Sequence, residues 1–273
     1  MTMDFVSFAR AHGVIIDHLP PIGVWARLKT EDKPKHRNGA VKYMGSHGFV
    51  QNHATMTEVA VWRGEMSQVA RQQARQITEQ AHRETQQAQR KAAEKAAWIL
   101  GQCSLEKHAY LAAKGFPDEL VNVWAREDGP IAVIPMRIDR EVVGVQLISE
   151  SGAKKFLSGQ RTGGAEFVFG DGKGVHVLCE GYATGLSVRK ALQNVKIRAM
   201  LHVCFSAGNM LKLSQKLNGG IVVTDNDASG TGQRISKEIG WPYWISDKTG
   251  EDANDYERRC GVFALAMGLK RIL

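Results

Sequence analysis

The segment GIVVTDNDASGTG, residues 220–232, decides the fold of the C-terminal part of this 273-residue chain. Its β-branched apolar run predicts a buried strand that ends at Asp225 and Asp227, and the glycines that follow predict a turn into a helix. Three other apolar runs, VHVLC, AMLHVCFS and PYWIS, alternate with helical stretches around it. This alternation is typical of an α/β fold in which helices flank a parallel sheet.

Acidic residues stand where the predicted strands end. They are Glu180 after VHVLC, Asp225 and Asp227 after IVVT, and Asp252 and Asp255 after the last short strand. Ligands of open α/β sheets bind beyond the carboxyl ends of the strands, so we expect these side chains to share one crevice. Clustered carboxylates repel one another unless a cation is present, and oxygen ligands suit Mg²⁺ or Mn²⁺. The pattern predicts a metal site for phosphoryl or nucleotidyl transfer.

Glycines follow two of these acids. Gly181 and Gly230 each precede a predicted helix, where free backbone N–H groups and the helix dipole favour a phosphate group. Either glycine alone is a weak signal, because glycines are common in ordinary turns. We expect both to contribute to a nucleotide-phosphate site.

Four motifs carry a family resemblance: EGYATGLS (180–187), FSAGNM (205–210), VVTDNDASGTG (222–232) and GEDANDY (250–256). They resemble the successive motifs of the Toprim domain of phage and plasmid DNA primases, over most of residues 171–260. The preceding segment 131–164 is similar to the part of bacterial-type primases that comes before Toprim. The resemblance implies a primase catalytic core in which an α+β subdomain precedes Toprim.

The resemblance also implies roles for single residues. Glu180 matches a metal ligand or general acid/base, Asp225 and Asp227 match metal ligands, and Asp252 and Asp255 match a later acidic pair. Thr184 stands where many cellular primases have another acid, which leaves the number of metal ions open.

Three basic residues would act with these acids. Lys155 matches a residue that contacts nucleotide phosphate or the growing primer. We expect Arg137 and Arg161 to line the same basin.

Composition divides the chain into four predicted segments: a basic N-terminal module (1–64), a long connector helix rich in Ala, Gln and charged residues (65–102), the α+β part of the core (103–170) and the Toprim domain (171–273). The first module resembles the opening of phage primase-helicases, but it has no cysteine with which to build their zinc ribbon. The four cysteines of the chain lack zinc-site spacing, so no zinc is expected.

The N-terminal module and the net charge of +8 favour a polyanionic partner. Basic side chains beside aromatic ones, here near Trp25, Tyr43 and Phe49, are what a single-strand binder uses. A small β module with a solvated basic loop explains the same composition equally well. The candidate nucleic-acid contacts are Lys33, Lys35, Arg37 and Lys42.

The leading hypothesis is a cytoplasmic primase that makes RNA primers from NTPs on single-stranded DNA. Because the sequence stops soon after the Toprim-like motifs and has no phosphate-loop motif, a replicative helicase is expected as a separate partner. The alternatives are a Toprim nuclease or nicking enzyme, and a non-catalytic single-strand binder. No apolar stretch or signal layout predicts a membrane association.

Overall fold

The computed structural model describes residues 3–64, 68–170 and 172–273. The chain forms two compact units, Met1–Gln86 and Gln87–Leu273. Among the described residues, no helix combines the length and the apolar character that crossing a bilayer requires.

The first unit is a four-stranded antiparallel sheet with one short helix. The sheet has the order β1-β2-β3-β4, and its elements are α1 (Phe5–Ala11), β1 (Trp25–Leu28), β2 (Gly39–Tyr43), β3 (His47–Asn52) and β4 (Ala60–Arg63). Asp4 caps α1 by accepting a 2.9 Å hydrogen bond from the Ser7 backbone N–H. The core lies between α1 and one face of the sheet, where Phe5 contacts Tyr43 and Trp62.

A single long helix, α2 (Gln68–Gly101), follows the first sheet, as the sequence predicts. Residues 65–67 of the predicted connector lie outside the described residues, as do the side chains of Val69, Ala70 and Ala74, which the sequence offers as part of an apolar stripe. Towards its C-terminal end the helix buries Ala96 and Ile99 against the sheet of the second unit, and its middle is exposed. The exposed part of the helix carries ion pairs between residues one turn apart, such as Arg90 and Glu94 at 3.0 Å.

The second unit begins with a five-stranded antiparallel sheet. Its strands, in spatial order, are β5 (Cys103–Glu106), β6 (Val121–Trp124), β7 (Ile131–Ile138), β8 (Glu141–Ser149) and β9 (Lys154–Phe156), and α3 (Ala109–Ala113) lies between β5 and β6 in the chain. The stretch EKHAYLAAKGF (106–116) is helical in pattern and contains the five-residue helix α3, and residues 103–106 before it form an edge strand. The predicted turn between β7 and β8 is a two-residue hairpin at Asp139 and Arg140, both with positive φ.

The remaining elements form a mostly parallel sheet that helices cover, in agreement with the α/β prediction. Its order is β10-β12-β11-β13-β14, and only β10 is antiparallel to its neighbour. The elements are β10 (Phe167–Phe169), β11 (Val175–Cys179), α4 (Tyr182–Asn194), β12 (Ala199–Val203), α5 (Ala207–Ser214), β13 (Ile221–Thr224), α6 (Thr231–Ile239), β14 (Tyr243–Ile245), α7 (Ala253–Cys260) and α8 (Val262–Lys270).

One apolar core joins the two sheets of the second unit. Ile134 and Ile148 of the antiparallel sheet belong to the same buried cluster as Val177 and Leu186 of the parallel sheet and its helix α4. The predicted segments 103–170 and 171–273 are therefore parts of one compact body. Cys179 and Cys204 are buried free thiols within that body.

Candidate active site at the carboxyl edge of the parallel sheet

Two neighbouring strands of the parallel sheet end in carboxylates. β11 and β13 are paired in parallel with Cys179 opposite Val223, so Glu180 and Asp225 leave the sheet at the same edge. Asp227 follows on the loop after β13, and Asp252 stands at the start of α7 after β14. We call these four residues, Glu180, Asp225, Asp227 and Asp252, the acidic edge. They come from three different strand ends, as the sequence predicts.

Asn226, between the two aspartates, ties the loop after β13 to the loop after β14. Its backbone N–H donates to the Glu251 carbonyl at 3.1 Å, and its carbonyl accepts from the Gly250 N–H at 2.6 Å. Its side-chain amide donates to the Ser246 carbonyl at 2.9 Å. These bonds hold the Asp252 segment beside Asp225.

A second loop, between β12 and α5, fixes Glu180. Phe205 has a positive φ of 66°, and its backbone N–H donates to the Glu180 carbonyl at 3.0 Å. The turn brings the Ala207 N–H to the Glu180 carboxylate, which lowers its pKa against a larger opposing effect of burial. Asn209 anchors this loop with side-chain bonds to the Cys204 carbonyl at 2.8 Å and the Ala165 carbonyl at 2.7 Å. The FSAGNM motif therefore has a positioning role.

The pKa values of the carboxylates shift in response to one another. Burial, and then the charges of Glu180 and Asp252, raise the pKa of Asp225 to about 7. The pKa of Glu180 is also raised, first by burial and then by the charge of Asp227. Such perturbed carboxyl groups concentrate at functional sites.

Asp227 differs from the other members of the acidic edge because it is exposed. The Ser229 hydroxyl donates to its carboxylate at 2.7 Å, and this bond lowers its pKa. Asp227 is thus a fixed, ionised carboxylate at the rim.

Asp252 and Asp255, which the sequence analysis treats as a pair, make different contacts. Asp252 caps α7 through a 2.8 Å bond from the Asp255 N–H, and it accepts a 3.3 Å bond from the Thr184 hydroxyl. Asp255 lies in the first turn of α7, and its carboxylate forms an ion pair with Lys114 at 3.7 Å. The carboxylates whose charges act on Asp225 are Glu180, Asp252 and Asp227, so the geometry does not place Asp255 in this group.

The donor set fits a hard divalent cation that keeps most of its own water. Asp225 Oδ1 is buried and has no hydrogen-bond partner in the described structure, which is costly for a carboxylate without a cation. Within the described ranges, no group of three or more His, Cys, Asp or Glu side chains has the geometry to hold a metal ion. Mg²⁺ is usually held by one or two carboxylates together with waters and substrate phosphates, so a complete protein cage is not required.

Lys154 is the basic residue that acts on the acidic edge, and the sequence analysis did not select it. Its charge lowers the pKa of both Asp225 and Glu180. Lys154 lies opposite Ile148, whose face of the antiparallel sheet packs into the core shared with the parallel sheet. The predicted Lys155 lies opposite Leu147, on the other face, beside the residues that pack on α2. The two-residue alternation of a strand separates the two lysines.

Lys154 also lines a cleft together with Lys114 and Arg258, three cations beside the buried Tyr110. Burial, and then the charge of Asp252, raise the pKa of Tyr110 to about 12. Glu150 also lines this cleft, so its charged lining is three cations and one carboxylate, a net positive charge that favours an anionic substrate.

The other residues predicted to contact phosphate lie either at exposed positions of a hairpin and a loop or at helix starts. Arg137 is exposed, and its guanidinium donates to the Arg140 carbonyl at 3.0 Å within its own hairpin. Arg161 is exposed on the loop before β10. Gly181 and Gly230 are the N-cap residues of α4 and α6, and neither helix start has a side-chain cap. At the start of α6 the Thr231 N–H already donates to the Ser229 hydroxyl at 3.2 Å, so the start of α4 is the better candidate for a phosphate.

In the first unit, Lys33, Lys35 and Arg37 lie on the exposed loop between β1 and β2, and Lys42 lies on β2. The aromatic residues that the sequence groups with these basic residues lie on two different faces of the sheet. Tyr43 packs against Phe5 in the core, whereas Trp25 and Phe49 lie on the opposite face.

The chain matches no protein-family model, and no curated protein matches it. Among solved structures it is similar to a chain of the bacteriophage T7 lagging-strand DNA polymerase assembly with primase domains bound to an RNA/DNA hybrid and dTTP: 14% identity, TM-score 0.43, 61% of this chain and 87% of that chain. It is also similar to the primase fragment of the bacteriophage T7 primase-helicase, with 15% identity, TM-score 0.41, 59% of this chain and 69% of that one.

A third similar structure is a DNA primase domain from Pseudomonas aeruginosa, with 16% identity, TM-score 0.37, 65% of this chain and 58% of that one. All three likenesses are distant. A functional assignment therefore has to rest on the residues of the acidic edge and on the motifs that hold them.

Proposed function

We propose that the chain is a DNA primase that joins NTPs into short RNA primers on single-stranded DNA, with Mg²⁺ or Mn²⁺ at a Toprim-type site. The observation that carries the proposal is the mutual effect of Glu180, Asp225, Asp252 and Lys154 on one another's charge, around a buried carboxylate oxygen that has no hydrogen-bond partner among the described residues. The order of the motifs that build this edge, which resembles that of Toprim primases, supports the same conclusion.

Each group has a distinct task in this proposal. A divalent ion would neutralise charge on the triphosphate and lower the pKa of the attacking hydroxyl. Asp225 and Glu180 would hold the ion with their carboxylate oxygens. The positive charge of the ion would in turn favour their ionised forms and lower their raised pKa values. Lys154 would contact the phosphates, and the uncapped N–H groups at the start of α4 would bind a phosphate oxygen. The separate helicase stays a prediction.

The test compares the wild type with Asp225→Asn and the matched control Asp139→Asn. Each is incubated with single-stranded DNA, labelled NTPs and Mg²⁺, and the products are separated by length. Asp139 is exposed in the β7–β8 turn at φ 49°, a conformation that asparagine tolerates, so the control removes one carboxylate from outside the site. We expect oligoribonucleotides from the wild type and the control, and a loss of roughly 100-fold or more in Asp225→Asn.

Other products would overturn the proposal. Strand cleavage in place of NTP incorporation would assign the same carboxylates to a nuclease that uses water as the nucleophile. Salt-sensitive DNA binding without any turnover would assign a non-catalytic binder. Equal synthesis by the wild type and Asp225→Asn would remove the acidic edge from the mechanism.

A further inference from the structure

One face of the first sheet carries a row of side chains that spans all four strands. The strand register places Trp25 opposite Lys42, Lys42 opposite Phe49, and Phe49 opposite Val61. Residues directly opposite each other on neighbouring strands have side chains on the same face. Trp25 is 52% exposed and Val61 is 49% exposed, so this row faces solvent. We call this surface the stacking face.

The other face of the same sheet has a partner. Phe5 of α1 packs on Tyr43 at a ring-centroid distance of 5.0 Å and on Trp62 at 5.5 Å, and Val41 and Val50 are completely buried there. The hydrophobic core of this unit is therefore formed between α1 and this face of the sheet. A large exposed tryptophan on the opposite side is not needed for that core, and exposed aromatic clusters mark binding sites.

The stacking face is positively charged as well as aromatic. Two residues along from the central row stand Arg27 on β1, His47 on β3 and Arg63 on β4, whereas the corresponding residue of β2 is Ala40; the register keeps all four on the same face. None of the β-strand side chains on this face is acidic. The basic loop is different, because Glu31 and Asp32 adjoin its lysines. Charge complementarity therefore favours a polyanion on the sheet more strongly than on the loop.

The aromatic rings have the arrangement that unpaired bases can use. The ring centroids of Trp25 and Phe49 are 6.2 Å apart, and the two rings are tilted by 37° with respect to each other. His47 meets Phe49 edge-on at 5.6 Å. Both large rings thus keep a surface for a base, and Lys42 stands between them on the middle strand, where a backbone phosphate would lie.

We propose that the stacking face binds single-stranded DNA, with bases on Trp25 and Phe49 and phosphates at Arg27, Lys42 and Arg63. This inference rests on the proposed function, in which the chain copies a single-stranded template. It places the principal template contact of the first unit on a sheet face that needs no zinc ion. The loop residues Lys33, Lys35 and Arg37 then have only a secondary electrostatic effect.

The test measures the affinity of the full chain for a fluorescent oligothymidylate by anisotropy, in EDTA and without NTPs. The variants are Trp25→Ala, Phe49→Ala, the conservative Trp25→Phe and the control Trp98→Ala. Trp98 is 56% exposed on α2, so the control removes an equally exposed tryptophan from another surface. Base stacking contributes enough that we expect each alanine variant of the stacking face to lose affinity by about fivefold or more. Trp25→Phe and Trp98→Ala should remain within about twofold of the wild type, and duplex DNA should bind more weakly than the single strand.

Thermal melts show whether a variant is folded, and Trp25→Phe keeps the inference testable if an alanine variant is not. Wild-type affinity in Trp25→Ala and Phe49→Ala would overturn the inference, whatever the incorporation assay gives. A dimer of the chain that Trp25→Ala dissociates, with DNA affinity unchanged, would overturn it in favour of a second copy on this face. Loss of affinity in these variants together with no NTP incorporation by the wild type would support the stacking face and refute the polymerase, so the two failures are distinguishable.

Discussion

The acidic edge and the stacking face bear opposite charges and obtain their properties in opposite ways. At the acidic edge, loops bring carboxylates together in a partly buried place, and burial, followed by the charges of Glu180 and Asp252, raises the pKa of Asp225 to about 7. On the stacking face, the exposed Trp25 and the half-buried Phe49 alternate with cations across the strands, and no buried charge is involved. The first arrangement costs folding free energy when its carboxylates are ionised, whereas the second costs little. The difference indicates chemistry at one region and recognition at the other.

The largest expected effect on stability tests this contrast at the acidic edge. In the folded protein the pKa of Asp225 lies above its unfolded value, so the carboxyl group is destabilising once it ionises. This penalty is absent below about pH 4, grows as the pH rises towards 7 and is complete above that. In EDTA at pH 8, Asp225→Asn should therefore melt at a higher temperature than the wild type, by about 3 °C or more.

The same pair should differ much less at pH 4.5, where Asp225 is protonated. Trp25→Ala on the stacking face should show no such pH-dependent gain, since no acid there is buried. A lower melting temperature of Asp225→Asn at pH 8 would contradict the idea that the acidic edge is under electrostatic strain.

A smaller effect is expected on the apparent KM for NTPs, and it should differ between two neighbouring lysines. Lys154 faces the acidic edge and Lys155 faces the other side of the same strand. Lys154→Ala should raise the apparent KM for NTPs by roughly tenfold, since a charge-assisted phosphate contact contributes about 1.5–3 kcal/mol. Lys155→Ala should change it by less than about twofold.

Steady-state incorporation at varied NTP concentration measures both lysine variants. DNA affinity at the stacking face should be the same in the two, because neither residue belongs to that unit. The reverse order of the effects would restore the role that the sequence analysis gave to Lys155.

The sequence predicts the acidic edge because the order of strand, acid and helix is local. Glu180 and Asp225 follow apolar runs that can only be buried strands, so their common edge follows from the fold class. The contribution of Lys154 depends instead on which face of β9 packs inward. A shift by one residue exchanges the two faces of a strand, and the double lysine in AKKFLSG gives no signal that decides between them. Phe156 lies on the same face as Lys154 and contacts Phe205 near Glu180, a contact that only the tertiary structure provides.

The same limit explains the aromatic residues of the first unit. Trp25, Tyr43 and Phe49 lie close in sequence to the basic residues, and composition alone groups them together. The register of β2 and β3 sends Tyr43 to the core and Phe49 to solvent. Asp255 shows a further limit, because its spacing from Asp252 is that of a helix first turn, and only tertiary structure provides Lys114 as its partner.

The central claim is that the acidic edge holds a divalent ion against a triphosphate. Its most direct measurement is a titration with Mn²⁺ followed by electron paramagnetic resonance, in the wild type and in Asp225→Asn, with and without NTP. We expect the wild type to bind Mn²⁺, to bind it more tightly in the presence of NTP, and to lose both properties in Asp225→Asn. Equal Mn²⁺ binding by the two proteins, or binding that NTP leaves unchanged, would contradict the claim.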